Sequence, residues 1–174
     1  IPTNGSFTAT KAWVDGPKPL DEVRFQLYRN IAGGTKAAVG SPVGLTESSY
    51  TWNNLQETDI NGNAYIYSFE ESTVPANYTA SYSEDGLTVT NTYTIPTNGS
   101  FTATKAWVDG PKPLDEVRFQ LYRNIAGGTK AAVGSPVGLT ESSYTWNNLQ
   151  ETDINGNAYI YSFEESTVPA NYTA

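Results

Sequence analysis

Apolar and polar residues alternate along short runs of this chain, and turn-forming residues separate one run from the next. That period-two alternation marks half-buried β-strands, since successive side chains on a strand point to opposite faces. Residues 6–14 read as a first strand. Asp15-Gly-Pro-Lys-Pro19 reads as a turn, because its two prolines forbid regular structure. Residues 22–29 alternate Val23, Phe25 and Leu27 inward against Glu22, Arg24 and Gln26 outward. A loop follows at 31–34, then a weak, edge-like segment at 35–43 that Gly and Pro interrupt. Residues 50–55 form a short strand and 56–63 a polar loop carrying Asn-Gly. The clearest strand pattern covers 64–71. Beyond a turn at 74–77, residues 78–83 and 87–93 flank Glu84-Asp-Gly86, a hairpin signal. No stretch has helical periodicity. About seven short strands with frequent turns predict an all-β antiparallel sandwich.

The pattern then repeats. Residues 1–80 recur without a change as 95–174, a period of 94 residues. That is too long for a solenoid unit and suits a small domain that folds by itself. The chain thus divides into a complete domain, 1–94, and a second copy, 95–174, that lacks the last strand. Residues 95–100 join the copies and reach about 20 Å when extended. They are too few for the strand at 87–93 to run parallel beside 101–108, which pairs it with its own copy. Ile95-Pro-Thr-Asn-Gly resembles a sortase recognition sequence, but Asn precedes the Gly, and the stretch reads as linker.

Composition narrows the functions open to such a chain. The net charge of −8 and pI near 4.4 argue against nucleic acid as a partner. No apolar run is long enough to insert in a membrane, and none has the form of a signal peptide, which exported proteins lose. With no Cys and no His, disulfides, thiolate metal sites and the commonest acid–base group are all missing, and no metal or cofactor is expected. A small extracellular β domain without cysteine needs another staple.

Three strands carry a residue that breaks their apolar face. Phe7, Ala9 and Trp13 share a face with Lys11. Tyr65, Tyr67 and Phe69 share one with Glu71, and Leu87, Val89 and Tyr93 share one with Asn91. Burial disfavours the charged forms of both amine and acid, so a close pair can exchange a proton and become neutral. A neutral amine is a nucleophile and a carboxamide carbon an electrophile. A protonated acid hydrogen-bonded to the amide oxygen would stabilise the tetrahedral intermediate, then help protonate the departing ammonia. The product is a Lys–Asn isopeptide bond, formed once per domain and driven by proximity. Each residue alone is commonly structural, through snorkelling, a solvated strand end or a satisfied bulge. It is the complementarity of the three that points to chemistry.

Thr10-Lys-Ala-Trp-Val-Asp15, Tyr65-Ile-Tyr-Ser-Phe-Glu-Glu71 with Val74-Pro-Ala-Asn-Tyr78, and Thr88-Val-Thr-Asn-Thr-Tyr93 resemble, in family order, the motifs of the collagen-adhesin B-type (Cna-B) repeat. The resemblance covers the whole repeating unit. It implies an immunoglobulin-like or prealbumin-like β-sandwich from Gram-positive surface adhesins and pilins, extracellular and held to the cell wall by an anchor outside this chain. It also implies Lys11 as amine donor, Asn91 as acceptor and Glu71 as catalytic acid. Glu70 is the competing acid, but alternation sends it to the face opposite Phe69. The second copy keeps Lys105 and Glu165 and has no acceptor, so a last strand supplied from another chain is a conceivable partner. The function expected is that of a stalk module touching neighbouring repeats, with single-turnover self-crosslinking in place of enzymatic activity. The alternative is direct adhesion through Tyr28, Tyr50 and Trp52.

Overall fold

The structure, a computed structural model, describes residues 1–174 and divides into two compact units, Ile1–Thr94 and Ile95–Ala174. The first unit has seven strands: β1 (Gly5–Val14), β2 (Arg24–Ile31), β3 (Ala37–Gly44), β4 (Ser49–Leu55), β5 (Tyr65–Thr73), β6 (Tyr78–Tyr82) and β7 (Thr88–Tyr93). Leu20–Glu22 forms one 3-10 turn, which shortens the strand expected from residue 22. Two sheets result, in the orders β4-β1-β7-β6 and β3-β2-β5. Between them lies an apolar core of Ala9, Val23, Phe25, Leu45, Phe69 and Val89, with Phe7, Trp13, Tyr50 and Trp52 packed against it. The all-β sandwich read from the alternation is what forms.

One pairing departs from an antiparallel arrangement. β1 and β7 run parallel, with Lys11 opposite Val89 and Trp13 opposite Asn91. Parallel neighbours need a long crossover, and here the remainder of the unit provides it. The first and last strands therefore lie side by side in the middle of one sheet.

Two side chains sit against their predicted orientation. Leu87 precedes β7 and is exposed, because the hairpin turn ends just before the ladder begins. Gln26 is buried rather than outward. Opposite it the β2–β3 register slips between Phe25 and Leu27, and the Gln26 amide donates to the carbonyls of Leu27 (2.8 Å), Val39 (3.3 Å) and Gly40 (3.3 Å). A bulge frees carbonyls that would otherwise go unpaired, and this amide satisfies them.

The second unit has β8 (Gly99–Thr104), β9 (Arg118–Ile125), β10 (Ala131–Gly138), β11 (Ser143–Leu149) and β12 (Tyr159–Thr167). Its sheets are β10-β9-β12 and β11-β8, around Ala103, Val117, Phe119 and Leu139. The two units differ by more than one strand. Tyr172–Ala174 does not form the counterpart of β6, and β8 stops at Thr104, whereas β1 continues to Val14. A strand exists only while a neighbour takes up its backbone hydrogen bonds, and both segments would have paired with the counterpart of β7.

Candidate functional site

Lys11 and Asn91 arrive from adjacent strands of one sheet and Glu71 from the sheet facing it. Because Trp13 stands opposite Asn91 in parallel register, Lys11, two residues back on the same face, is a diagonal neighbour of the amide. β5 brings Glu71 to the position opposite Phe25, in the core layer. The site is dry: the side chains of Lys11 and Glu71 are 0% exposed, and Asn91 is fully buried.

Lys11 Nζ lies 3.4 Å from Glu71 Oε2, and Asn91 Nδ2 donates to Glu71 Oε1 at 2.8 Å. Lys11 Nζ also donates to the Ala12 carbonyl at 3.3 Å and stands 4.4 Å from the centre of the Trp13 ring. Tyr78 packs edge-on against that ring, with centroids 5.0 Å apart, so the ammonium is walled in by aromatics. Burial pushes the Lys11 pKa below its ordinary value, and the Glu71 carboxylate only partly offsets this. Glu71 Oε2 and Asn91 Oδ1 are buried without a hydrogen-bond partner. Unpaired buried polar atoms are costly, and in native structures they gather where strain or chemistry resides.

The carboxyl group meets the amide nitrogen and leaves the amide oxygen unpaired, where the sequence reading had the acid on the oxygen. A carboxylate only accepts hydrogen bonds, so it turns to the N–H end of the amide. Of the two adjacent acids, Glu71 is in the core, while Glu70 is exposed in an ion pair with Lys36 at 2.6 Å.

In the second unit Lys105 Nζ and Glu165 Oε2 are 2.7 Å apart, with side chains 10% and 9% exposed. With no amide competing for it, the carboxyl group closes on the amine, and Glu165 Oε1 has no hydrogen-bond partner. Beside the pair opens a cleft of about 570 Å³, lined by residues including Lys105, Trp107, Asp109, Asn171 and Tyr172. The Tyr172 hydroxyl donates to the carbonyls of Asp109 and Pro111.

The aromatics named as an adhesive surface, Tyr28, Tyr50 and Trp52, are each half-buried. Tyr50 and Trp52 pack on the core, 4.9 Å apart and edge to face, and Lys36 Nζ sits 4.7 Å from the Tyr28 ring centre. The strand pattern did not single out Tyr82. Its hydroxyl accepts a hydrogen bond from the Glu71 backbone N–H at 2.8 Å, reaching from one sheet to the other. No periodicity encodes a contact that depends on how two sheets face each other.

The fold and this interior define a β-sandwich module carried twice in tandem. Residues 7–92 and 101–174 match the Cna protein B-type domain, and the chain belongs to that family. It is 30% identical over 162 residues to the collagen adhesin of Staphylococcus aureus, a match taking in 84% of this chain and 13% of that protein. The chain thus spans a small part of that relative's length. Among solved structures it is similar to the single B repeat unit B1 of the collagen-binding surface protein of Staphylococcus aureus. Identity there is 27%, with a TM-score of 0.39, over 98% of this chain and 89% of that one. The two-unit B1B2 structure of the same protein gives 28% identity and a TM-score of 0.41, over 99% of this chain and 45% of that one.

Proposed function

We propose that this chain is a structural spacer of a bacterial surface adhesin, and that its complete unit is locked by a self-formed bond between Lys11 and Asn91. The observation that carries this reading is the meeting of amine, acid and amide in one buried interior. Lys11 transfers a proton to the Glu71 carboxylate, and the pair is then neutral, which burial favours. The Lys11 lone pair attacks Asn91 Cγ, and the carbonyl electrons move onto Oδ1. Glu71 gives its proton to Nδ2 and takes one from the new C–N nitrogen. The C–Nδ2 bond breaks, ammonia leaves, and a secondary amide joins the two side chains. The position of Glu71 beside Nδ2 suits it to protonate the leaving group.

The bond would close a loop of about 80 residues, worth roughly 4–5 kcal/mol in the chain-entropy treatment of crosslinks. Because it joins neighbouring first and last strands, tension on the two ends would pass through it and leave the other strands unloaded. That is the property a spacer on a surface protein needs. The family membership and the similarity to a surface collagen adhesin support the placement outside the cell.

The second unit, with Lys105 and Glu165 in place and a cleft beside them, is a body that a supplied last strand would complete. Intact mass spectrometry of the folded chain tests the central claim. One ammonia should be missing, and Lys11→Ala, Glu71→Ala or Asn91→Ala should each restore it. A folded wild-type chain of unaltered mass would overturn the reading. Adding a peptide of residues 81–94 should give a covalent adduct at Lys105 with loss of a second ammonia, and a persistent lack of adduct would reject complementation.

A further inference from the structure

We propose that Tyr82 is a positioning residue for the crosslinking reaction: its hydroxyl holds the strand segment that carries Glu71, and its ring closes the interior over the reacting groups. The inference rests on the crosslinking reading above and adds to it a residue that touches none of the reacting atoms.

The argument starts at the edge of a sheet. β5 is the outer strand of β3-β2-β5, so one of its sides has no neighbouring strand. Glu71 N–H donates instead to the Tyr82 hydroxyl, at 2.8 Å, from β6 of the opposite sheet. The Tyr82 ring lies edge-on to Phe69, with centroids 5.7 Å apart. Tyr82 also stands opposite Val89, two residues before Asn91 on β7. One side chain thus ties the backbone of the acid to the sheet that carries both amine and amide. Desolvation of its hydroxyl raises the Tyr82 pKa above the ordinary value, as befits a polar end buried beneath an exposed ring.

The second unit supplies the comparison, because residues 95–174 include no counterpart of Tyr82. There Phe163 is 36% exposed, against 3% for Phe69. Its acid is no longer sealed, and the carboxyl group has closed on the amine at 2.7 Å, against 3.4 Å in the first unit. A tight ion pair stabilises the charged amine, which is the unreactive form. Holding the strand of the acid against the sheet that carries amine and amide, so that the carboxyl group stays within reach of the amide nitrogen, is the work assigned to Tyr82.

The test uses the full chain and peptides of residues 81–94, since Tyr82 lies within that segment. Adduct formation at Lys105 is followed against peptide concentration for the native peptide and for Tyr82→Phe. The phenylalanine keeps the ring and removes only the hydroxyl. The rate at saturating peptide should fall about tenfold, the equivalent of one lost hydrogen bond. The half-saturating concentration should move by less than about threefold, because the ring still packs. Tyr82→Leu, which removes the ring as well, should raise the half-saturating concentration too. Equal saturating rates for the Tyr and Phe peptides would overturn the proposal while leaving the crosslink intact. A native peptide that never reacts would bring it down together with complementation, and an unaltered mass for the first unit would dispose of the crosslink itself.

Discussion

Residues 1–80 and 95–174 are one sequence in two structures. Where the segment 81–94 follows, β1 runs to Val14, Tyr78 opens a further strand, and Phe69 is nearly sealed. Without that segment the equivalent of β1 ends at Thr104, and Val108 is 85% exposed. The identical residues therefore do not carry their own structure. β7 acts on both sides of itself, giving hydrogen-bond partners to β1 and to β6, and it lays Val89 into the core. The chemistry divides along the same line. One unit brings the acid against both amine and amide, and the other leaves amine and acid as an ion pair.

Changes that remove what only the first unit possesses should have the largest effect. Asn91→Ala abolishes the proposed bond and should lower the stability of the first unit by roughly 4–5 kcal/mol. In calorimetry its transition should drop toward that of the second unit, which should not move. Next comes the same truncation made twice. Phe69→Ala should cost about 3–5 kcal/mol, as for a sealed aromatic. Phe163→Ala should cost roughly half as much, because part of that ring already meets water. Equal losses in denaturant titrations would show that the two cores are alike after all.

A gentler effect should appear with pH. In an Asn91→Ala chain Lys11 keeps its amine, and burial lowers its pKa below the ordinary lysine value. Between that lowered value and the value in the unfolded chain, the unfolded state binds more protons. Stability should therefore climb with pH across this window and stay level, as far as Lys11 is concerned, below it. Adding Glu71→Gln removes the charge that favours the ammonium and should extend the climb to lower pH, as pH-dependent unfolding would register. The smallest effect serves as the control. Lys36–Glu70 and Lys130–Glu164 are exposed ion pairs at 2.6 and 2.7 Å, the same in both units. Lys36→Ala and Lys130→Ala should each cost at most about 1 kcal/mol, and by the same amount.

Much of this was legible in the alternation. The strands of the first unit lie within a few residues of their expected places, and the inward faces bearing Lys11, Glu71 and Asn91 follow from period two alone. Choosing Glu71 over Glu70 needed nothing more than the face shared with Phe69. What escaped depends on partners. The parallel β1–β7 ladder is a property of two distant segments, and neither announces its neighbour's direction. Gln26 reads as outward because alternation assumes a regular ladder, which the bulge facing it breaks. The retreat of β8 to Thr104 could not be read from residues that are the same in the first unit, where they stay in register to Val14. Tyr82 reaches its contact across the gap between sheets, a distance that sequence spacing does not measure.

The Gln26 amide has a consequence for a chain that spells one module twice. Identical neighbouring segments are prone to trade strands while they fold, and a bare sheet edge invites that error. β3 is such an edge, rich in small residues and poorly patterned for register. Gln26 clasps Val39 and Gly40 at the bulge, and Gln120 does the same with Val133 and Gly134. A kinked, clasped border offers a stray strand no straight template, so each copy is left to find its own partners.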